Sequence, residues 1–288
     1  MKFGIFTVGL VVFSKYMKIF SSVALLSIAL FFAFTLNTNF LPNVFAEEDL
    51  TEAPTEYYTE DCNVAGIKLH GELRTYYDYG SQSIDDVSTS EDIAAMLAEA
   101  EASPYIKTIL LEIDSGGGSP LAAQEISDAL EFGVSKQVVA QIRGIGASAA
   151  YWVATAADHI IASPLSDVGS IGVTMSYLDY GKSNKREGYT FNEINTGKFK
   201  DSGTSDKILT KEEEAIFQRD VDIIFEHFKD VVEKNRGLSE EKVAAIADGS
   251  TVLGQMALEK GLIDQVGGYY DTLDYISNTQ GIEPVVCW

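Results

Sequence analysis

The sequence predicts an α/β fold with a largely parallel sheet, because buried-type strands alternate along the chain with helical segments. The strands are short runs rich in Val, Ile and Leu, at Lys107 to Asp114, Val138 to Ile142 and His159 to Ala162. Continuous apolar runs of this length are typical of strands that are covered on both faces. Helices between consecutive strands supply the crossover connections that parallel pairing needs.

Residues 1–46 are predicted to be a signal peptide or a membrane anchor. Ile19 to Phe34 is apolar apart from three serines, two lysines precede it, and Val44-Phe45-Ala46 fits a small-x-small cleavage site. Extended to Leu36, the run has 18 residues, which is long enough for a membrane span. Cleavage and retention are both open, and both place the rest of the chain outside the cytoplasm.

Residues 47–61 are predicted to be an acidic linker that precedes a folded domain over residues 62–288. The whole chain has 43 acidic and 21 basic residues and a net charge of −22. This balance argues against nucleic acid as a partner, since surfaces that bind nucleic acid are rich in Lys and Arg. The sequence contains neither a Gly-Lys-Ser/Thr phosphate loop nor enough cysteines for a four-cysteine zinc site, so we expect no metal and no cofactor.

Two cysteines, Cys62 and Cys287, bracket the predicted domain. An oxidising compartment would allow a disulfide between them. In the chain-entropy model, closing so long a loop stabilises the fold by on the order of 4–5 kcal/mol. Two unpaired thiols are the alternative, because the sequence does not give the distance between the two residues.

Further elements complete the domain in chain order, beginning with a strand over Val64 to Leu73 and a helix from about Thr89 to Ala102. The other predicted helices run over Leu121 to Phe132, Tyr151 to Ala157, Thr210 to Asn235, Ser239 to Ala247 and Gly254 to Lys260, and the other predicted strands over Ile171 to Tyr177 and Tyr189 to Asn192. Thr210-Lys211-Glu212-Glu213 is a capping box. The apolar stripe of the long helix that follows it is predicted to face the core or a subunit interface.

A small-residue corner, Gly146-Ala147-Ser148-Ala149-Ala150, connects a predicted strand to a predicted helix. A serine hydroxyl at a helix N-terminus lies near backbone N–H groups and the positive end of the helix dipole, which favour developing negative charge. Ser148 is therefore a candidate nucleophile. A serine that only caps the helix in a close-packed turn is the alternative interpretation.

A second candidate element is the glycine-rich segment Asp114-Ser115-Gly116-Gly117-Gly118-Ser119, which follows a predicted strand. Glycines let the backbone turn sharply and approach a ligand closely. Their N–H groups could bind an oxyanion. A plain strand-to-helix turn is the alternative.

A serine nucleophile needs a base, and the candidates are two lysines and three histidines. A lysine acts as a base only when neutral, so its ordinary pKa of about 10.4 must be lowered, as burial does. In an extended segment Lys198 and Lys200 face the same side, so periodicity does not choose between them, and solvated surface lysines are the alternative. Among His70, His159 and His227, only His159 is a plausible rival base.

Together these segments resemble the signal peptide peptidases of the serine–lysine type, in their short, single-repeat form. The matching segments, in the family's order, are Asp114 to Ser119, Gly146 to Trp152, Ala156-Ala157-Asp158, Gly169-Ser170-Ile171-Gly172-Val173, Gly197-Lys198-Phe199-Lys200-Asp201 and Ala257 to Gly267. Each segment alone is weak, whereas the ordered set is specific. The resemblance implies a Clp protease/crotonase-like fold of repeated ββα units and a serine peptidase domain over residues 62–288.

The resemblance also implies a role for each site residue. Ser148 would be the nucleophile and Lys200 the general base. Ser170 would help to hold the lysine. Gly117, with the amide of Ser148 or of its neighbours, would supply the oxyanion hole.

Three departures from the family's pattern bear on these roles. Gly116 stands where the family usually has Pro, which could shift the oxyanion assignment to Gly118. Ala149 and Ala150 replace a common glycine pair, a small change in volume. Ser250 stands where the family often has Arg, which affects a local contact and not the chemistry.

The leading hypothesis is a serine endopeptidase with a Ser-Lys dyad that cleaves extended apolar peptides, such as signal-peptide remnants, through an acyl-enzyme. It would be secreted or attached to the membrane by its N-terminal segment. The resemblance implies a homo-oligomer, since family members form rings. One alternative is a crotonase-like acyl-thioester enzyme that uses the glycine turn, although Ser148, Lys200 and export argue against it. Another is a catalytically silent scaffold that assembles through the long helix.

Overall fold

Residues 58–77 and 87–288 are described by the structure, which is a computed structural model. The predicted signal or anchor over residues 1–46 lies outside these residues, as does most of the predicted linker over residues 47–61. Within the described residues the strands are β1 (Val64–Arg74), β2 (Val87–Thr89), β3 (Thr108–Gly118), β4 (Gln137–Ala147), β5 (His159–Ala162), β6 (Asp167–Gly169), β7 (Thr251–Leu253), β8 (Gln265–Val266) and β9 (Val286–Cys287).

These strands form one mixed sheet in the order β2-β1-β3-β4-β5-β8. β9 also pairs with β1, and β6 pairs with both β4 and β7. Every described pair is parallel except β6 with β7. The central strands β3 and β4 are buried along most of their length, as expected for parallel strands that are covered on both faces.

Helices connect most of the parallel strands. Those in the described part of the chain are α1 (Ser90–Ala102), α2 (Pro120–Gly133), α3 (Ala149–Thr155), α4 (Gly181–Arg186), α5 (Lys211–Arg236), α6 (Glu240–Ala244), α7 (Gly254–Glu259) and α8 (Tyr269–Gln280). The predicted capping box is confirmed, because the Thr210 hydroxyl accepts the Glu213 N–H at 3.2 Å and the Glu213 carboxylate accepts the Thr210 N–H at 2.9 Å. α5 therefore begins where the sequence predicts it.

Two apolar clusters of unequal size hold the sheet between its helices. The larger contains side chains of β1, β3 and β4 together with α1, α2 and α3. The smaller consists of Val64, Leu110, Val139 and Ile161, near the beginnings of four strands, with Ile276 of α8. Each buried aliphatic side chain contributes about 1.5–3 kcal/mol of transfer free energy, so the larger cluster dominates the stability.

The predicted α/β class is confirmed, and the mixed sheet with its helices is consistent with the Clp protease-like fold that the resemblance implies. The predicted strands at Val64 to Leu73, Lys107 to Asp114, Val138 to Ile142 and His159 to Ala162 are all present. The glycine-rich segment continues β3 as far as Gly118. The sequence predicts a turn there, and the turn begins later, at Ser119.

Two predicted strands are wrong. Ile171 to Tyr177 and Tyr189 to Asn192 are not strands in the structure. Ile171 is buried, but from residue 174 onward the segment is exposed and meets no neighbouring strand. The nearby strand is β6, which pairs with the last residues of β4. β-branched composition alone does not provide a pairing partner.

A disulfide joins Cys62 to Cys287, with their Cα atoms 5.9 Å apart. It lies beside the β1–β9 pairing and links residues that are 225 positions apart in the sequence. No helix in residues 58–77 or 87–288 is long and apolar enough to cross a membrane. The predicted apolar segment Ile19 to Phe34 lies outside this range.

Candidate active site

Ser148 occupies a strained corner between β4 and α3. Its φ is 53° and its ψ is −126°. In the described part of the chain, Ser148 and Ser170 are the two residues other than glycine with positive φ. Such a conformation is uncommon for a residue with a side chain and persists only where surrounding contacts hold it. One such contact is the hydrogen bond from the Ser148 N–H to the Gly169 carbonyl of β6, at 2.7 Å.

The Ser148 hydroxyl does not cap α3. It makes no hydrogen bond to any of the described residues, and Ser148 lies at the edge of two cavities. The interpretation of Ser148 as a simple capping serine is therefore wrong. The corner instead presents a hydroxyl without a partner among the described residues beside open space, so that it is accessible to a bound molecule.

The two cavities differ in character. The larger, of about 400 Å³, is lined in part by Ser170, Asp222 and Asp248. The smaller, of about 100 Å³, is walled mainly by Trp152, Ile224 and Phe228. The rings of Trp152 and Phe228 are stacked, with their centroids 5.1 Å apart. The surroundings of Ser148 thus offer a polar, acidic side and an apolar side.

Ser170 lies on the wall of the larger cavity and is fixed by the loop before β7. Its N–H donates to the Ser250 carbonyl at 3.0 Å and its hydroxyl donates to the Gly249 carbonyl at 2.9 Å. Asp248 accepts both the N–H and the hydroxyl of Ser250, which lowers the pKa of the Asp248 carboxyl. Ser170 contacts this loop rather than Lys200.

The glycine-rich end of β3 packs directly against the Ser148 corner. Gly117 has a φ of 102°, and a Cβ at this position would lie 2.9 Å from the Ala149 nitrogen. The N–H of Gly117 donates to Ser115 Oγ at 3.1 Å, and the N–H of Ser148 is bound to Gly169. The Ala149 N–H is at the first position of α3, where a helix has no internal acceptor. Ala149 and Gly118 both line the smaller cavity with Ser148, whereas Gly117 lines neither cavity, so these two residues are better placed to donate to an oxyanion.

The two candidate lysines lie in one exposed turn and differ in their contacts. The Lys198 ammonium is 2.7 Å from Glu212 Oε2 and 5.1 Å from the ring centroid of Phe199. The Lys200 side chain is exposed and makes no ion pair or hydrogen bond with the described residues. Lys200 lines neither of the Ser148 cavities. A single chain therefore does not bring Lys200 to Ser148.

The three histidines lie outside the Ser148 site. His159 opposes Val139 at the beginning of β4, roughly 30 Å from Ser148 at the usual rise of a strand, and stacks on Tyr275 with their centroids 3.8 Å apart. Nε2 of His70 is 3.0 Å from Glu112 Oε1, and that of His227 is 2.7 Å from Gln124 Oε1. None of the three lines a cavity with Ser148.

Sequence reasoning missed the apolar wall of the site. Ile224, Phe225 and Phe228 belong to the stripe of α5 that was expected in the core or at a subunit interface, yet they line the two cavities. Helical spacing shows that such residues share a face, but it does not show that the face borders a cavity. The placement of Trp152 beside Phe228 in this wall depends in the same way on how α5 packs against α3.

Comparison with known proteins gives consistent matches. A family model described as Peptidase family S49 matches residues 132–283, and one described as Clp protease matches residues 79–168. A Methanocaldococcus jannaschii protein named as a protease is 35% identical over 179 residues, which are 62% of this chain and 58% of that protein. A Synechocystis sp. protein named as a protease is 33% identical over 197 residues, which are 68% of this chain and 71% of that protein.

A third relative, an Enterococcus faecium protein named as the signal peptide peptidase SppA, is 26% identical over 236 residues, which are 80% of this chain and 67% of that protein. The chain thus spans little more than half of the M. jannaschii relative and two thirds or more of the other two. The S49 match covers more than half of this chain and includes Ser148 and Lys200. The chain belongs to peptidase family S49, and its resemblance to the signal peptide peptidases is confirmed.

Proposed function

We propose that this chain is a serine endopeptidase that forms an acyl-enzyme on Ser148. The observation that carries the proposal is the Ser148 corner, where a hydroxyl without a partner in the described part of the chain lies on a strained backbone beside two cavities. Membership of peptidase family S49 supports serine peptidase chemistry. The cavities have room for side chains on either side of a scissile bond.

In acylation, Ser148 Oγ would attack the carbonyl carbon of a peptide bond. Its proton would pass to a base and then to the leaving nitrogen as the C–N bond breaks. The N–H groups of Ala149 and Gly118 would stabilise the negative oxygen of the tetrahedral intermediate. Gly117 would take part only if its N–H left Ser115 Oγ. Water would then hydrolyse the acyl-enzyme with the help of the same base.

Lys200 is the proposed base. The Lys198 ammonium is already engaged by Glu212 Oε2, 2.7 Å away. Lys200 has no such partner among the described residues, and the motif that carries the family resemblance selects it. Its side chain is exposed in the single chain, whereas lysine bases in enzymes lie in sites shielded from water.

A neighbouring copy of the chain would remove this difficulty. Residues 174–200 contain no buried residue. They expose Met175, Tyr177, Leu178, Tyr180, Tyr189, Phe191, Ile194 and Phe199. Clusters of exposed apolar side chains are typical of protein interfaces. We therefore propose a homo-oligomer in which this segment is covered and Lys200 is desolvated beside the Ser148 of a neighbour.

The proposed substrates are extended apolar peptides, such as signal-peptide remnants. The apolar walls formed by Trp152, Ile224 and Phe228 support an apolar side chain next to the scissile bond. The Cys62–Cys287 disulfide supports an oxidising compartment. Together with the apolar N-terminal segment, it favours a protein outside the cytoplasm, secreted or attached to the membrane.

The test is covalent labelling of the full-length protein with a serine-directed fluorophosphonate, read by intact mass. We expect wild type to gain one label and Ser148→Ala none. Lys200→Ala should lose labelling, whereas Lys198→Ala and His159→Ala should keep it. Lys198→Ala is the matched control, since it removes an identical side chain two residues away in the same turn.

Three outcomes would contradict parts of this proposal. Labelling that survives in Lys200→Ala and disappears in His159→Ala would remove the lysine from the mechanism. Absence of labelling in folded, assembled wild type would favour the scaffold alternative. A wild type that hydrolyses acyl thioesters but not peptides would favour the crotonase-like alternative.

A further inference from the structure

A third cavity, of about 590 Å³, lies on the sheet and shares no lining residue with the two Ser148 cavities. Lys68, Glu112 and Gln141 lie side by side on β1, β3 and β4. They occupy the same face as the smaller apolar cluster, because each is an even number of residues from a member of that cluster. Here the sheet face changes from apolar to polar.

Gln141 is the most informative residue of this cavity. It is only 3% exposed, and its side-chain amide makes no hydrogen bond within the described residues. Gln141 lines the cavity, so its amide is available to hydrogen-bond a molecule that occupies it.

The charged groups around Gln141 favour an anion. Glu112 is already paired, with its Oε1 3.0 Å from His70 Nε2 and 3.7 Å from the nearest Arg143 nitrogen. Arg143 makes no hydrogen bond with the described residues, so its donors are available to a ligand. The Lys68 ammonium has no carboxylate partner among them and lies 5.1 Å from the ring centroid of Trp288. The side chains that line this cavity thus include two cations and one carboxylate, on a chain of net charge −22.

Two aromatic side chains form the apolar wall of the cavity. The rings of Tyr269 and Trp288 have centroids 6.4 Å apart. Trp288 lies against Gly66 of β1, where a Cβ would come within 2.5 Å of the indole ring. The disulfide at the preceding residue, Cys287, fixes this end of the chain to the sheet. The aromatic wall is therefore part of the folded domain.

We propose that this cavity binds a small carboxylate that carries an apolar or aromatic side group, such as the carboxyl-terminal residue of a peptide or a free aromatic acid. The planar guanidinium of Arg143 suits a carboxylate, which can accept two parallel hydrogen bonds. The Gln141 amide donates to the carboxylate from the sheet face, and the side group packs on Tyr269 and Trp288. A volume of about 590 Å³ fits one or two amino-acid residues.

The test is calorimetric titration of full-length Ser148→Ala, in which peptides stay intact. The probes are N-acetylphenylalanine, its uncharged amide, and an acetylated tripeptide that ends in phenylalanine. We expect the acid to bind at least about tenfold more tightly than the amide. A peptide that binds more tightly than the acid identifies a peptide end as the ligand, whereas equal affinities identify the free acid, and either result supports the site.

Substitutions of residues that line the third cavity test whether the acid binds there. Arg143→Gln and Gln141→Leu should each weaken binding of the acid by about tenfold. Arg219→Gln is the matched control, because its side chain is 62% exposed against 64% for Arg143 and it also pairs with one carboxylate. Its affinity should equal that of the parent. Lys68→Gln provides a second surface variant if thermal melting shows that Gln141→Leu does not fold.

Wild type whose Ser148 carries the fluorophosphonate should bind the acid as tightly as Ser148→Ala does. Loss of binding in this blocked protein would overturn the proposal, since it would assign the acid to the Ser148 cavities. Equal affinities for acid and amide, or unchanged binding in folded Arg143→Gln, would also overturn it. So would the absence of any heat with the acid at about 10 mM.

Discussion

At the residue scale, the contact between Gly117 and the Ser148 corner sets how closely the two segments of the proposed active site approach. A Cβ on Gly117 would lie 2.9 Å from the Ala147 oxygen, the Ala149 nitrogen and the Ser148 Cβ. Its φ of 102° also disfavours any side chain. Gly116 differs, because the nearest atom to a Cβ there is Ile145 Cδ1, at 4.0 Å.

Gly117→Ala should therefore slow fluorophosphonate labelling by about 100-fold, since a shift of about 1 Å in a catalytic group has effects of this size. Gly116→Ala is the matched control and should label within about threefold of wild type. Labelling rates are measured by mass spectrometry, with circular dichroism and thermal melting as checks of the fold. Equal rates for the two variants would show that the close approach at Gly117 does not position the nucleophile.

At the element scale, the first turn of α5 is held by one buried carboxylate. Glu213 accepts the Thr210 N–H at 2.9 Å and lies 3.0 Å from the Lys207 ammonium. The backbone hydrogen bond from Thr210, and then the hydrogen bond from Lys207, lower the pKa of Glu213 from 4.5 to about 2. A carboxyl whose pKa is lower in the folded state stabilises the fold above pH 4.5. This stabilisation is lost as the pH falls from 4.5 towards 2.

Glu213→Gln keeps an oxygen that can accept the Thr210 N–H but removes the negative charge beside Lys207 and the helix N-terminus, so it should lower the free energy of unfolding at pH 6 by about 1 kcal/mol. It should also reduce the loss of stability between pH 4.5 and pH 2. Glu214→Gln, at the exposed next position, is the control and should behave like wild type. Urea unfolding at pH 6, 4.5 and 3 measures both effects. An acid dependence that is the same in Glu213→Gln as in wild type would mean that this carboxyl is not linked to folding.

Elements with a local signature could be predicted from the sequence. Val138 to Ile142 is a run of buried-type strand residues, and the capping box at Thr210 consists of four adjacent residues. The strand expected at Ile171 to Tyr177 failed because its composition does not reveal whether a partner strand is within reach. β8 and β9 have two residues each, too few for any periodic pattern.

Only part of the candidate site could likewise be predicted from the sequence. Ser148 and the glycine segment could be found because a tight corner and a close backbone approach both require small residues in sequence order. The Trp152–Phe228 wall could not, because it depends on the packing of α5 across α3. The sequence also could not show which backbone N–H groups are free to bind an oxyanion. The Gly117 N–H is bonded to Ser115 and the Ser148 N–H to Gly169, and both bonds depend on the folded backbone.

At the scale of the whole molecule, the proposed catalytic pair is divided between a rigid part and an exposed part. Ser148 lies at the end of a buried strand and is tied to β6. Lys200 lies within a stretch without buried residues, residues 172–212, and outside the Ser148 cavities. If each site takes its serine from one copy of the chain and its lysine from a neighbour, two inactive variants should complement each other.

Co-expression of Ser148→Ala and Lys200→Ala chains tests this arrangement. In a randomly mixed ring with equal amounts of both, about one site in four combines an intact serine with an intact lysine. We therefore expect about a quarter of wild-type fluorophosphonate labelling, all of it on Lys200→Ala chains. Each variant expressed alone should stay unlabelled, and so should the two when purified separately and mixed without subunit exchange. Mixed assemblies that remain unlabelled, although native mass spectrometry shows both chains in one particle, would place serine and lysine in the same copy.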